Sequence, residues 1–215
     1  MEITYFGHSS FRLKGKSAVV VTDPFESGSL GLKFPKHVEA DILTVSHAHP
    51  DHSATKEVEG SPYILHGPGE YEIKGVGVVG LASFHDDSNG SVRGKNTIFR
   101  YELEGLSLVH LGDVGHVLSS AQVDDLDGVN VLFVPVGGMS TITAAQAVQI
   151  VRDIEPDIVI PMHYGRPELD QKIYGGLSPV TEFLKEIGKE AVVPQAKLSI
   201  TKDKLPAEMQ VVVLE

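Results

Sequence analysis

The sequence predicts an α/β fold in which two β-sheets lie back to back beneath helices, and three observations predict it. Short apolar segments bounded by turn residues outnumber helical ones along the 215 residues. The two clear helical segments are apolar on one face only, so each covers a core. No repeat, low-complexity tract or linker interrupts the chain, and 41% hydrophobic residues is an ordinary fraction for one sizeable core. Residues 1–215 are therefore expected to form a single domain.

The elements follow in order. Strands are expected over 3–6, 11–13 and 18–22, separated by Gly7-His-Ser-Ser10 and by the tight-turn sequence Lys14-Gly-Lys16. An irregular loop rich in glycine, serine and proline covers 27–35, and a short buried strand over 42–45 ends at a run of histidines. Further strands are expected over 63–65, 76–82, 97–103, 106–111, 129–134, 158–160, 198–200 and 210–214. Thr143 with Gln146 forms a capping box, after which Ala144, Ala147, Val148, Val151 and Ile154 mark one helical face. A second helix starts at Ser178-Pro179, buries Val180, Phe183, Leu184 and Ile187, and stops at Gly188.

Composition removes several classes of function. The N-terminus Met1-Glu-Ile-Thr-Tyr-Phe6 has no basic region, and no apolar run approaches the roughly eighteen residues of a membrane span. A soluble, cytoplasmic protein without a membrane partner is the expectation. With no cysteine there is neither a disulfide framework nor a thiolate ligand, so any metal must be held by imidazole and carboxylate. A net charge of -11, with 18 scattered Lys and Arg, disfavours a nucleic-acid partner.

The chemistry centres on Ser46-His-Ala-His-Pro-Asp-His52, directly after a buried strand. A catalytic metal of borderline softness takes imidazole nitrogen and carboxylate oxygen and keeps a position open. Residues two apart in extended chain point the same way. His47 and His49 can thus grip one ion while Asp51 and His52, beyond the bend at Pro50, address another. Two ions need more ligands, and His85, Asp113 in "HLGD" and His163 in "IPMHYG" each lie just past the end of an expected strand. His37, His66 and His116 read as solvated loop histidines, and His110, inside an apolar strand, as a packed structural one.

HxHxDH, then a distant histidine, "GD" and "PMHYG", is a pattern that resembles the metallo-beta-lactamase superfamily of dinuclear metallohydrolases, over a span from His8 to His163. Within it, "GHSSF", "TDP", "GPGEYEIKGV", "RGKNT" and "VPVGG" look most like the small hydrolases related to ascorbate-6-phosphate lactonase. The resemblance implies a four-layered αβ/βα sandwich. It also implies two divalent ions, with Zn2+ ahead of Mn2+ or iron. His47, His49 and His85 resemble the ligands of the first ion, Asp51, His52 and His163 those of the second, and Asp113 the bridge between them. Such ions lower the pKa of bound water and polarise a carbonyl or phosphoryl oxygen.

Among the remaining residues, Asp51 is a candidate to orient the attacking water and His8 to bind substrate or act as a general acid. Asp23 is a candidate to hold a ligand histidine by its free nitrogen, and its alternative is turn initiation before Pro24. Asp86 stands either behind the ligands or in a plain loop. The leading function is a metal-dependent hydrolase of a small ester, lactone or phosphate-containing metabolite. The alternatives are a phosphodiesterase or nuclease of the same superfamily, and a metal-holding module without turnover. Substrate preference is expected in loops 26–37, 86–94 and 166–176, and a homo-oligomer is left open.

Overall fold

In the computed structural model, which describes residues 1–215, the chain opens as the expected meander. β1 (Glu2–Gly7), β2 (Ser10–Lys14) and β3 (Val19–Thr22) pair antiparallel in turn. After β4 (Val38–Glu39), β5 (Ile42–Val45) inserts parallel to β3, and after β6 (Val58–Glu59), β7 (Tyr63–His66) adds parallel to β5. β8 (Gly69–Ile73), β9 (Val76–Phe84), β10 (Lys95–Leu103) and β11 (Leu106–His110) form a second antiparallel meander. α1 (Ser120–Asp125), β12 (Val131–Pro135), α2 (Ala144–Ile154) and β13 (Ile158–Met162) then extend that sheet with parallel strands. α3 (Gln171–Tyr174), α4 (Val180–Glu186), β14 (Leu198–Ser199) and β15 (Gln210–Val211) complete the chain.

The result is a six-stranded sheet ordered β14-β1-β2-β3-β5-β7 and a seven-stranded sheet ordered β15-β13-β12-β11-β10-β9-β8. A cluster of 46 buried residues joins the two sheets and the inner faces of α2 and α4. Side chains alternate across a strand. Val20 and Ile42 accordingly face this cluster, whereas their neighbours Val21 and Leu43 face a second, nine-residue cluster with Phe25, Phe34 and Leu169. That outer face of the six-stranded sheet is closed by loop segments and by Tyr174 of α3. The α/β sandwich expected from the sequence is present, with its outer layer thin on this side. No helix is long and apolar enough to cross a membrane.

Local chemistry accounts for the helices. Thr143 accepts from the Gln146 amide and Gln146 reaches back to the Thr143 amide, the expected capping box. Pro179, which has no cap hydrogen bond of its own, starts α4, and Gly188 ends the run at φ 72. β8 goes unforeseen because it is an edge strand with mostly exposed residues and shows no apolar alternation. The strand expected over 210–214 ends at Val211, and Leu214 keeps only an isolated bridge to Gln195.

Strand direction places the site. β1, β3 and β5 run one way through the first sheet, and β9, β11 and β13 share a direction in the second. The residues that leave the carboxyl ends of these six strands are His8, Asp23, the His47–His52 turn, His85, Asp113 and His163. Ligands of α/β sheets gather beyond the carboxyl ends of strands. Here the ends of both sheets meet, tied by the His163 amide donating to the His8 carbonyl at 2.8 Å.

Candidate metal centre

Asp113 lies at the middle of the cluster. Its Oδ2 is 3.1 Å from His163 Nε2, 3.4 Å from His52 Nε2, 3.4 Å from His85 Nε2 and 4.0 Å from His47 Nε2. Two groups of possible ligand atoms surround it, each mutually within 4.8 Å: His47, His49 and His85 on one side, and His8, Asp51, His52 and His163 on the other. All seven residues singled out as ligands from the sequence therefore come together, from turns separated by up to half the chain. His49 is the exposed member, and Asp51 is part-buried.

A network behind the ligands sets their tautomers. Asp23 Oδ1 accepts from the Ser46 amide at 2.8 Å, and Oδ2 accepts from Ser46 Oγ at 2.5 Å and lies 3.0 Å from His52 Nδ1. Ser46 Oγ in turn stands 2.9 Å from His47 Nδ1. Because the serine proton goes to Asp23, His47 Nδ1–H donates to the serine oxygen, and His52 Nδ1–H donates to Asp23. Both rings then turn Nε2 to the centre, as ligand histidines do when an outer carboxylate orients them. Asp23, at φ 40, is thus behind the ligands, with His8 at φ 57 and His163 at φ 51 also in the left-handed region. Such strained backbone clusters at functional sites.

The fit to a cation can be tested on buried polar atoms. His47 Nε2, His52 Nε2 and Asp113 Oδ1 are buried without any hydrogen-bond partner. Unpaired buried groups are costly, and several imidazole lone pairs aimed at one point repel each other. A divalent ion removes both problems with the donors that borderline metals accept. The rings of His85 and His163 leave Nδ1 unpartnered and are held by packing, His163 on His8 at 4.1 Å and His85 on His47 at 4.7 Å.

Burial and neighbouring charge set the protonation states. Burial, with His163 adding to it, draws His8 down to about 4. Burial and the charge of His52 draw His47 down to about 3. Burial opposes ionisation of Asp113, but His163 and His52 override it and hold the carboxyl well below the ordinary range. His52 is raised, since Asp113 and Asp23 outweigh its burial.

Residues beyond the sequence reading also reach the site. Asp51 Oδ2 receives His8 Nε2 at 3.1 Å and the Tyr174 hydroxyl at 3.3 Å. Asn96 holds the Asp113 amide through Oδ1 at 3.0 Å while its Nδ2 donates to Ser83 Oγ and to the Leu111 carbonyl. Ser46 opens the histidine turn and Asn96 lies in "RGKNT", so proximity in sequence was a usable signal for them; Tyr174 falls in loop 166–176, where no motif singles it out.

His110 is packed as expected, bonded to the Ser9 carbonyl at 2.9 Å. His37 and His66 are exposed. His116 departs from the solvated reading. It is part-buried, its Nε2 receiving the Phe84 amide at 3.3 Å and its Nδ1 donating to the Val117 carbonyl, because the loop after Asp113 folds back over the end of β9. Asp86 is a loop organiser rather than a partner of the ligands. Its carboxylate accepts the amides of Ser88, Gly90, Val92 and Arg93.

Residues 2–163 match the family model of the beta-lactamase superfamily domain, a match that ends at the last candidate ligand. The chain belongs to the beta-lactamase superfamily. It is a metal-dependent hydrolase of that superfamily. The UPF0173 metal-dependent hydrolase of Methanoculleus marisnigri is 30% identical, over 93% of this chain and 94% of that protein. That of Thermococcus onnurineus is 26% identical, over 84% of this chain and 95% of its own. A crystal structure from Thermotoga maritima, described as a candidate Zn-dependent hydrolase of the metallo-beta-lactamase superfamily, superposes with a TM-score of 0.81 at 36% identity. It covers 99% of this chain and 97% of its own.

Proposed function

We propose that this beta-lactamase superfamily member hydrolyses a small ester, lactone or phosphate-containing metabolite at a centre for two divalent ions. The single observation that carries the reading is the position of Asp113, whose Oδ2 stands within 4.0 Å of histidines from both ligand groups. One carboxylate so placed lets two dications sit side by side with less mutual repulsion. His47, His49 and His85 would hold one ion, and Asp51, His52 and His163 the other, with Asp113 shared. Bound there, divalent ions supply Lewis acidity toward a substrate oxygen and lower the pKa of water. Imidazole and carboxylate suit Zn2+ first, with Mn2+ and iron as alternatives. The lactone part of the reading rests on the sequence resemblance.

The chain's own residues do the rest. Asp23 and Ser46 keep His52 and His47 in the tautomers that face the centre. Neutral at pH 7, His8 donates Nε2–H to Asp51 and stands beside the second ligand group, where its N–H can bind a substrate oxygen. Tyr174 fixes the same carboxylate oxygen from the opposite loop.

Elemental analysis of protein purified without chelators tests the reading, beside an ester, lactone and phosphodiester panel. About two ions per chain, with turnover that chelation stops and metal restores, is the expected result. No transition metal after reconstitution overturns it. Metal without turnover on any substrate leaves a metal-holding module, and turnover of phosphodiesters alone selects the nuclease-like alternative.

A further inference from the structure

A cleft of about 510 Å³ opens directly beside the candidate centre, with His47 and His49 in its wall. Its volume suits a small metabolite. Arg93, Lys95 and His66 line the other parts, together with Thr97 and Ser53, and no aspartate or glutamate reaches it. That is notable in a chain of net charge -11, with 29 acidic residues against 18 basic ones. Neither Arg93 nor Lys95 is engaged in an ion pair, unlike Arg12, Lys74, Arg100, Arg166 and Lys197. The Arg93 guanidinium touches only the Met139 carbonyl, at 3.5 Å. A cavity of about 560 Å³ at the opposite ends of the strands also holds Lys14, Lys16 and Lys202, but there Glu2, Glu104 and Asp203 share the lining with them.

The two free cations stand on fixed backbone. The Asp86 carboxylate holds the Val92 and Arg93 amides at 3.0 Å and 2.6 Å. The Gly94 carbonyl between the cations accepts the His85 amide at 3.0 Å, and Lys95 opens β10 in register with Phe84. The Thr97 amide donates to the Ser46 carbonyl at 2.9 Å, tying the same strand to the turn that carries His47. The backbone that carries both cations is therefore set relative to two candidate ligands on opposite sheets.

From this juxtaposition we infer that Arg93 and Lys95 form an anion-binding subsite, and that the substrate carries a carboxylate or phosphate group away from the bond that is cleaved. The inference rests on the hydrolase reading above and narrows its substrate class. The reacting group lies at the His47–His49 end of the cleft and the anion at the Arg93–Lys95 end. An arginine fork and a lysine point charge suit an oxyanion of either kind, and the positive wall draws such substrates toward an otherwise acidic molecule.

Three activated esters with one leaving group test this on the metal-loaded protein: para-nitrophenyl acetate, para-nitrophenyl hydrogen glutarate, and the para-nitrophenyl ester of phosphonoacetic acid. The readout is the ratio of kcat/KM for each anionic ester to that for acetate. Arg93→Ala and Lys95→Ala are each expected to lower the ratio by about tenfold, chiefly through KM, with Arg93→Lys restoring part of it. The arm that falls further identifies carboxylate or phosphate as the preferred anion. An unchanged ratio in both arms overturns the subsite. If the parent cleaves none of the esters, the ester part of the hydrolase reading fails separately, and calorimetry of glutarate and phosphonoacetate on the metal-loaded protein decides the subsite. There, about tenfold weaker binding in the double variant supports it, and equal affinity overturns it.

Discussion

At the scale of single residues, the centre depends on groups that never face the cation. Asp23 accepts from Ser46 twice and lies within hydrogen-bond distance of His52, so one carboxylate fixes two ligand rings. Removing an outer partner of a ligand histidine costs roughly 10–100-fold in metal affinity. Asp23→Ala is expected to weaken metal binding by about that factor in a chelator-competition titration, and Ser46→Ala by less, because His52 keeps its bond to Asp23. Unchanged affinity in Asp23→Ala would show that packing alone orients the rings. Tyr174→Phe keeps the ring against His8, at 5.5 Å, and deletes only the bond to Asp51. One such bond contributes about 1 kcal/mol. The expected result is a drop of about fivefold in kcat/KM with metal content retained, and a variant that loses metal instead would make Tyr174 a structural support.

At the scale of elements, the loops that carry ligands close on one another through small residues and one buried carboxylate. Gly137, just past β12, has no room for a side chain, since a Cβ there would run into the His163 carbonyl and the Leu177 side chain. Gly137→Ala is expected to displace the His163 turn, lowering metal content and destabilising the protein by about 1–3 kcal/mol, as overpacking does; full metal occupancy with an unchanged Tm would contradict this. Loop 86–94 folds around Asp86, whose carboxyl is held down to about 2 by the Arg93 amide first and those of Gly90, Ser88 and Val92 next. A carboxyl lowered from 3.8 stabilises the fold above that pH and loses its contribution as the pH falls toward 2. Asp86→Ala should therefore expose Arg93 to trypsin at neutral pH, while the stability gap to the parent narrows between about pH 4 and pH 2. Equal trypsin resistance would mean that the loop is held by other contacts. These loops also mark where the sequence stopped being readable. The ligands were legible because each follows a strand of buried apolar residues, and four of them crowd one turn. Asp86 was not, because its partners are backbone amides that carry no residue signature. Tyr174 meets Asp51 across 123 positions, a separation that no local period encodes.

At the scale of the whole molecule, each candidate ion would join the two sheets. His47 and His49 leave the six-stranded sheet and His85 the seven-stranded one, while Asp51 and His52 face His163 in the same way. Metal bound there acts as a staple and stabilises the fold by mass action, by about 2.7 kcal/mol at a hundredfold excess over Kd. For a chain of this size that is roughly 5–10 °C in Tm for each ion. The staple is proton-linked, because ligand histidines must be neutral. His8 and His47 have folded values drawn down to about 4 and about 3, by burial first, from 6.5. Their contribution is complete above 6.5 and lost as the pH falls through the folded values. His52 is raised, so its contribution is present below 6.5 and fades only as the pH rises through its folded value. Two consequences follow for thermal unfolding with and without chelator between about pH 8 and pH 5. The metal-free protein should lose stability on acidification below 6.5, as these histidines take up protons in the unfolded chain while they stay neutral in the folded one. The extra Tm given by metal should also shrink as the pH falls, since a proton competes with the ion for His52, whose folded value is raised. A metal-dependent Tm increment that stays constant down to about pH 5 would remove His52 from the centre.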